Sequence, residues 1–340
     1  MSRRSPAAFP LDDARVYDHY IAGRRSAALA AGVRAGLFDA LAAAPLTEAE
    51  VAARCGWRPR PTRSLLAALQ AMGVIVRNGE ALTLAPDAAA YLVRGKAGSL
   101  WGLIDMEMEA FLSPQALLEA LTTGKTSVYG DEDPWARHAR DPARARAFTA
   151  AMHSISERPA AGFAEVAPLG EARTLLDVGG GSGALSLAAA RAFAHLTCTV
   201  LDLPGVCAIA AEYAAAAGLG RRVQTFPADM FADPWPAADA VLLSQILHDW
   251  PPARGRELLG KALATLPPGG AVLIHEKLVD DDGNGPLANA LVHLDMLVWT
   301  EGQQYSEGEL RTMLGEAGFV GVTRQATAGA WSLVVGRVPA

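Results

Sequence analysis

Several short stretches of this chain combine residue types that bind nucleotides or move protons. Leu175 to Gly183 reads LLDVGGGSG, an apolar run ending in Asp177 and Val178, then four glycines in five residues, then an alanine-rich segment. A buried strand that breaks into glycines and restarts as a helix lets a ligand lie against bare backbone, with helix N–H groups facing it. Gly179-x-Gly181-x-x-Ala184 also satisfies the dinucleotide fingerprint, so the glycines alone leave the ligand open. Asp202 follows about twenty residues later, where an acid can accept both hydroxyls of a ribose. Asp229 stands before Met230 and Phe231, a carboxylate beside apolar groups that suits the edge and face of an adenine. SQILHDW brings His248 next to Asp249, and His275 precedes Glu276.

Asp177 separates the ligand classes. A carboxylate entering the loop is unfavourable beside a pyrophosphate and favourable beside an ammonium group. S-adenosylmethionine has no phosphate and carries an amino group, a sulfonium, a ribose and an adenine, which fits Asp177, Asp202 and Asp229 better than a dinucleotide does. The plainer alternative is that these aspartates cap helices. A neutral imidazole at His248 suits general-base work on a hydroxyl, since phenols ionise near about pH 10. His248, Asp249, His275, Glu276, His293 and Asp295 form a set rich in metal-ligand types. His275 and Glu276, however, are adjacent on an expected strand and point to opposite faces, and no HxxxH or CxxC spacing is present, so no metal is expected.

Alternating strands and helices after Glu171 position these residues. Strands are expected at Thr174–Val178, Cys198–Asp202, Val223–Phe226, Ala240–Ser244 and Ala271–Glu276, with a last antiparallel pair at Val320–Gln325 and Trp331–Arg337. Helices are expected at Ala184–Ala194, Gly205–Ala217, Ala253–Leu266 and Ser306–Ala317. The pattern is α/β, a doubly wound Rossmann-like sheet that binds ligands at the carboxyl ends of its strands. The first half is mainly helical. Apolar residues recur at helical spacing from Arg15 to Ala44, with a break at Gly32 and Gly36. Thr47 and Glu50 form a capping-box pattern, Gly56 a stop, and RSLLAALQAMG a further helix closing at Gly73. A hairpin turning at Asn78-Gly79 then completes a winged-helix arrangement. Such a unit binds DNA or, having lost that role, serves protein contacts; few cations follow Arg58, Arg60 and Arg63, which favours the second. Helical segments from Trp101 to Leu121 and from Ala143 to Val166 carry Met106, Met108, Phe111, Phe148 and Met152, an apolar set that is either core or the lining of a pocket. Tyr129 and an acidic run lie between them.

At 340 residues, 51% hydrophobic and 19% charged, the chain suits two packed domains. A net charge of −6 argues against sequence-independent nucleic-acid binding. Three cysteines without paired spacing point to a reducing compartment, and no apolar run is long enough for a bilayer, so a cytoplasmic protein without membrane or nucleic-acid partners is expected.

Taken in order, LLDVGGGSGAL, LDLPGV, ADMF and LLSQILHDW resemble the S-adenosylmethionine-dependent O-methyltransferases of the plant-caffeate, acetylserotonin and bacterial-polyketide type. The resemblance covers nearly the whole chain. It implies an N-terminal dimerisation domain at 13–97, a helical connector contributing to the substrate pocket at 98–170, and a catalytic domain at 171–340 of a homodimer. It further implies that Gly179, Asp202, Asp229, Met230 and Ser244 hold the cofactor, although the family often has lysine where Ser244 stands. Asp177, Gly181 and Met152 complete the expected cofactor set. His248 matches the catalytic base, with Asp249 beside it, and Glu276 a carboxylate that orients it. A second orienting glutamate of many members is replaced here by Gln304, with Glu301 three residues earlier as a substitute from a shifted loop. The implied reaction is methyl transfer to a hydroxyl of a small aromatic or polyketide-like molecule. Carbon methylation, cofactor binding without methyl transfer, a DNA-binding regulator and an NAD-dependent oxidoreductase are the competing readings.

Overall fold

The computed structural model describes residues 12–110, 113–126, 128 and 134–340. The tail before residue 12, Phe111, Tyr129 and the acidic run after it lie outside the described residues. The chain divides into two compact units, Met1–Met108 and Glu109–Ala340. The 98–170 stretch is therefore shared between the units.

In the first unit, helices α1 (Ala14–Arg34), α2 (Leu37–Ala43), α3 (Glu48–Cys55) and α4 (Pro59–Ala71) precede a hairpin of β1 (Ile75–Asn78) and β2 (Ala81–Leu84), then α5 (Pro86–Tyr91) and α6 (Trp101–Ala110). Thr47 and Glu50 form the capping box on α3, and Gly56 ends that helix in the left-handed region. The first break falls at Gly36, with φ +69°, and not at Gly32. Gly32 stays inside α1 because the ring of Phe38 lies where a side chain would start, 2.7 Å from an added Cβ. The hairpin turn is also one residue later than its sequence suggests, since Asn78 pairs with Ala81 and leaves Gly79-Glu80 as the loop. Val33, Leu37, Phe38, Leu66, Leu69 and Leu82 form the buried centre of the unit. Only Ala30, Gly32 and Val33 of α1 are buried; Val16, Tyr17 and Tyr20 are 57–68% exposed.

In the second unit, α7 (Pro114–Thr123), α8 (Pro134–Arg140) and the long α9 (Pro142–Val166) lead into β3 (Thr174–Val178), α10 (Ala184–Ala192), β4 (Thr197–Asp202), α11 (Pro204–Ala216), β5 (Val223–Pro227) and β6 (Ala240–Ser244). Then follow α12 (Pro252–Thr265), β7 (Ala271–Glu276), α13 (Leu287–Trp299), α14 (Glu307–Ala317), β8 (Val320–Ala326) and β9 (Ser332–Arg337). The sequence reading lacks α13, whose run LANALVHLDMLVW is apolar nearly all round and carries no capping signal. The seven strands lie in the order β5-β4-β3-β6-β7-β9-β8, with β9 antiparallel to both neighbours. Order reverses between β3 and β6, which opens the ligand crevice at their carboxyl ends. Both faces of the sheet are covered, and strand alternation sorts the core accordingly. Leu175, Val200, Leu242 and Leu273 join one cluster, while Leu176, Leu201, Val241 and Val272 join the other. No single helix among the described residues is long and apolar enough to cross a membrane.

Candidate active site

The glycine loop after β3 is shaped by contacts that exclude side chains. Gly179, Gly181 and Gly183 all have φ near +60 to +75°, where other residues pay for the close approach of Cβ to the carbonyl. A Cβ at Gly179 would overlap the end of Ile246, and one at Gly180 would meet the Asp177 carboxylate at 2.6 Å. An added Cβ at Gly181 meets nothing within 4 Å, so this glycine faces open space. The Asp177 carboxylate is buried and accepts a hydrogen bond from the Ser186 hydroxyl at 2.7 Å. Asp202 accepts from the Gly181 N–H at 2.9 Å and from the Leu203 N–H at 2.7 Å. Loss of solvation pushes Asp177 up to about 7, helped by the charge of Asp202, and Asp202 up to about 6. Two carboxylates short of a counter-charge beside open backbone suit a cationic, phosphate-free nucleoside, and a pyrophosphate there would be repelled. The residues present therefore fit S-adenosylmethionine.

Asp229 is exposed, and its Oδ1 accepts the N–H groups of Phe231 at 2.8 Å and Ala232 at 3.2 Å, so one oxygen serves the turn that presents Met230. Met230 approaches the loop, its sulfur 3.9 Å from a Cβ added at Gly179. Phe231 packs edge-on against Trp250, with ring centroids 4.7 Å apart, and the Arg254 guanidinium lies 3.5 Å from its centroid. Ser244 ends β6 with its hydroxyl 3.3 Å from both Nδ1 and the carbonyl oxygen of His275. Met152 is half-buried on α9. His275 turns to the opposite face from Glu276, stacking on Trp331 with centroids 5.0 Å apart.

His248 sits in a turn of 3₁₀ helix, Leu247–Asp249, just past β6. The turn begins at Gln245, the non-glycine residue with φ of +55°. Such a backbone persists only when its surroundings over-determine it, and it aims the turn at the crevice. Nδ1 of His248 lies 2.6 Å from Nε2 of Gln304 and 3.6 Å from Oε2 of Glu276; Nε2 lies 3.7 Å from Oδ1 of Asp249. Glu276 is fixed in turn by the Ile246 N–H, which donates to its Oε1 at 3.1 Å. Burial lowers the His248 pKa to about 4, with the Lys277 cation adding to the effect. Burial likewise pushes Asp249 up to about 8, and Glu276 up to about 8 with a contribution from the charge of Asp249. The imidazole is thus neutral at pH 7, as a base must be.

The structure brings His248, Asp249, Glu276 and Gln304 together in one buried cluster, and gathers Asp177, Gly179, Gly181 and Asp202 around the loop. Gln304, not Glu301, reaches the imidazole; Glu301 is exposed, so the shifted-loop substitute does not form. Tyr305 is fully buried core, its hydroxyl donating to the Trp250 carbonyl at 3.2 Å. Gly302 escapes the sequence reading. A Cβ there would overlap the His248 carbonyl oxygen, so only glycine lets the 300–305 segment close over the 3₁₀ turn. Its signal was a lone glycine in a polar loop, which points to a close approach without naming what is approached. Among the described residues, no group of three or more His, Cys, Asp or Glu is arranged to hold a metal ion.

Residues 115–320 match the O-methyltransferase domain family, and residues 18–94 the O-methyltransferase dimerisation domain family. The chain is 39% identical to 3-hydroxy-5-methyl-1-naphthoate 3-O-methyltransferase of Streptomyces sahachiroi, over 91% of this chain and 90% of that one. It is 33% identical to the tetracenomycin polyketide synthesis 8-O-methyl transferase of Streptomyces glaucescens, over 92% and 93% respectively. Among solved structures, human N-acetylserotonin methyltransferase in complex with S-adenosylmethionine superposes with a TM-score of 0.89 at 26% identity, covering 98% of this chain and 100% of that one.

Proposed function

We propose, for a chain that belongs to the S-adenosylmethionine-dependent O-methyltransferase family, that the acceptor is a hydroxyl on a small aromatic or polyketide-like molecule and that His248 is the general base. The observation that carries the reading is the buried, neutral imidazole of His248, seated between Gln304 and Glu276 on one side and Asp249 on the other. The naphthoate and tetracenomycin names of the bacterial relatives support the acceptor class.

When bound, S-adenosylmethionine supplies an electrophilic methyl group. Asp202 would hold the ribose, Asp177 the amino end across the glycine loop, and Asp229 with Met230 the adenine. Nε2 of His248 takes the acceptor proton. That role requires Nδ1 to carry a hydrogen, and so requires the Gln304 amide to present its oxygen to Nδ1. With its nitrogen there instead, Gln304 Oε1 is buried without a partner, and turning the amide gives that oxygen the Nδ1 hydrogen. Glu276, whose Oε2 is also buried without a partner 3.6 Å from Nδ1, faces the same nitrogen and helps hold the ring in place. Alignment of the hydroxyl with the methyl accounts for most of the acceleration, up to about 7–11 kcal/mol in good cases. We assign α1 and the dimerisation-family region that overlaps it, residues 18–94, to a homodimer contact, supported by the uncovered apolar residues at the start of α1. The free thiols of all three cysteines support a reducing, cytoplasmic setting.

The test is transfer of labelled methyl to a hydroxynaphthoic acid, with the product analysed for methyl on oxygen or on carbon. His248→Ala is expected to lose at least about a hundredfold in turnover while still binding S-adenosylhomocysteine. Label on carbon overturns the acceptor assignment, and near-normal turnover of the variant overturns the role of His248.

A further inference from the structure

One half-buried polar contact at the glycine loop is used by none of the groups above. His153 on α9 places Nδ1 2.8 Å from Oγ of Ser182, the one residue of the Gly179–Gly183 loop that is not glycine. Its imidazole stacks on Tyr213 of α11, with centroids 4.0 Å apart and planes 27° apart. Two turns earlier, Arg146 of α9 pairs bidentately with Glu212 beside that tyrosine, at 2.6 and 2.9 Å. The imidazole is therefore held by α9 and α11 and extends one polar atom to the loop. A loop of four glycines has more backbone freedom to lose on binding than any other composition. An anchor from a rigid helix removes part of that freedom before the ligand arrives.

We propose that His153 is a positioning residue for the cofactor, holding the glycine loop through Ser182 in the geometry that receives S-adenosylmethionine. Ser182 is buried, so its hydroxyl has little water to turn to if the anchor is removed. The same face of α9 carries Ser156, whose hydroxyl accepts from the Gln245 amide at 3.4 Å. One helix face thus reaches both the cofactor loop and the start of the His248 turn. The inference rests on reading this loop as the cofactor site, and the experiment tests the two separately.

Binding of S-adenosylhomocysteine to the full-length protein is measured by calorimetry, with turnover at saturating S-adenosylmethionine alongside. His153→Phe keeps a ring against Tyr213 and removes the polar atom; His153→Asn removes the ring and keeps a polar atom near the position of Nδ1. The expected result is a roughly three- to tenfold weaker Kd for His153→Phe. His153→Asn should stay within about twofold of wild type, and both should keep kcat. Ser182→Ala added to His153→Phe should weaken binding no further, because the two remove one interaction. Wild-type affinity in His153→Phe, or equal weakening in both variants, overturns the proposal, the second outcome being what a packing role gives. Asp202→Ala is the separate arm. If it binds as tightly as wild type, the reading of the loop fails. If it loses binding while His153→Phe does not, only the role of His153 fails.

Discussion

At the residue scale, the chemistry turns on how the neighbours of His248 set its protonation. A general base must be unprotonated, so a pKa lowered to about 4 moves the acid limb of kcat/KM down from the value near 6.5 of free imidazole. The enzyme should therefore keep its activity in mildly acidic buffer. Gln304→Glu places a carboxylate 56 residues along the chain but in direct contact with the ring, and an anion there favours imidazolium. The variant is expected to have its acid limb shifted to higher pH, losing activity at pH 5 before pH 7, as read from kcat/KM for methyl transfer across that range. An unchanged limb would mean that His248 is not the titrating base. The neutral amide matters for this reason: it fixes which nitrogen carries the hydrogen without adding charge.

At the element scale, the site depends on two backbone passages that glycine alone permits. The loop after β3 packs Gly179 against Ile246, so the glycine loop and the turn that carries His248 touch directly. The 300–305 segment crosses the carbonyl of His248 at Gly302 and delivers Gln304 to the imidazole. Gly302→Ala must lift that segment or displace the 3₁₀ turn. A shift of about 1 Å in a reacting group can cost on the order of a hundredfold. The expected outcome is a large fall in kcat with S-adenosylhomocysteine affinity retained, since the glycine loop is untouched. Equal loss of kcat and cofactor affinity would show instead that the segment supports the whole crevice. β6 and β7 are well suited to carry these groups: each is buried on both faces and paired on both edges, β6 between two parallel strands and β7 between parallel β6 and antiparallel β9.

At the scale of the whole molecule, α1 is the element that the single chain leaves incomplete. It runs 21 residues, yet only three near its end are buried, and Val16, Tyr17 and Tyr20 stand exposed. An isolated helix gains little stability in water, since most helical stability comes from packing an apolar face. In the homodimer proposed above, a second copy of the chain would supply that cover. Tyr17→Asp combined with Tyr20→Asp is expected to shift sedimentation from dimer to monomer. A wild-type protein that sediments as a monomer at micromolar concentration would refute the assignment.

How much of this was legible in the sequence depends on the range of the physics involved. Strand and helix alternation after Glu171, the capping box at Thr47 and the glycine loop are written in local spacing, because burial period, cap chemistry and left-handed backbone are properties of a few adjacent residues. Local spacing left the α1 break spread over Gly32 and Gly36, of which only the second holds, and placed the hairpin turn one residue early. It also passed over α13, which starts without a side-chain cap to mark it. The types of the candidate site residues were equally readable, with Asp177, Asp202 and Glu276 at the ends of strands and His248 in the turn just past one. Their relations were not. That Asp177 spends an oxygen on Ser186, that Gln304 and not Glu301 meets His248, and that Gly302 must be bare to allow it, are contacts between segments up to 56 residues apart. The sequence by itself determined which chemistry the chain carries. Only the tertiary structure decided which neighbour each group has, because proton affinity and close approach depend on what lies within a few ångströms, whatever its distance along the chain.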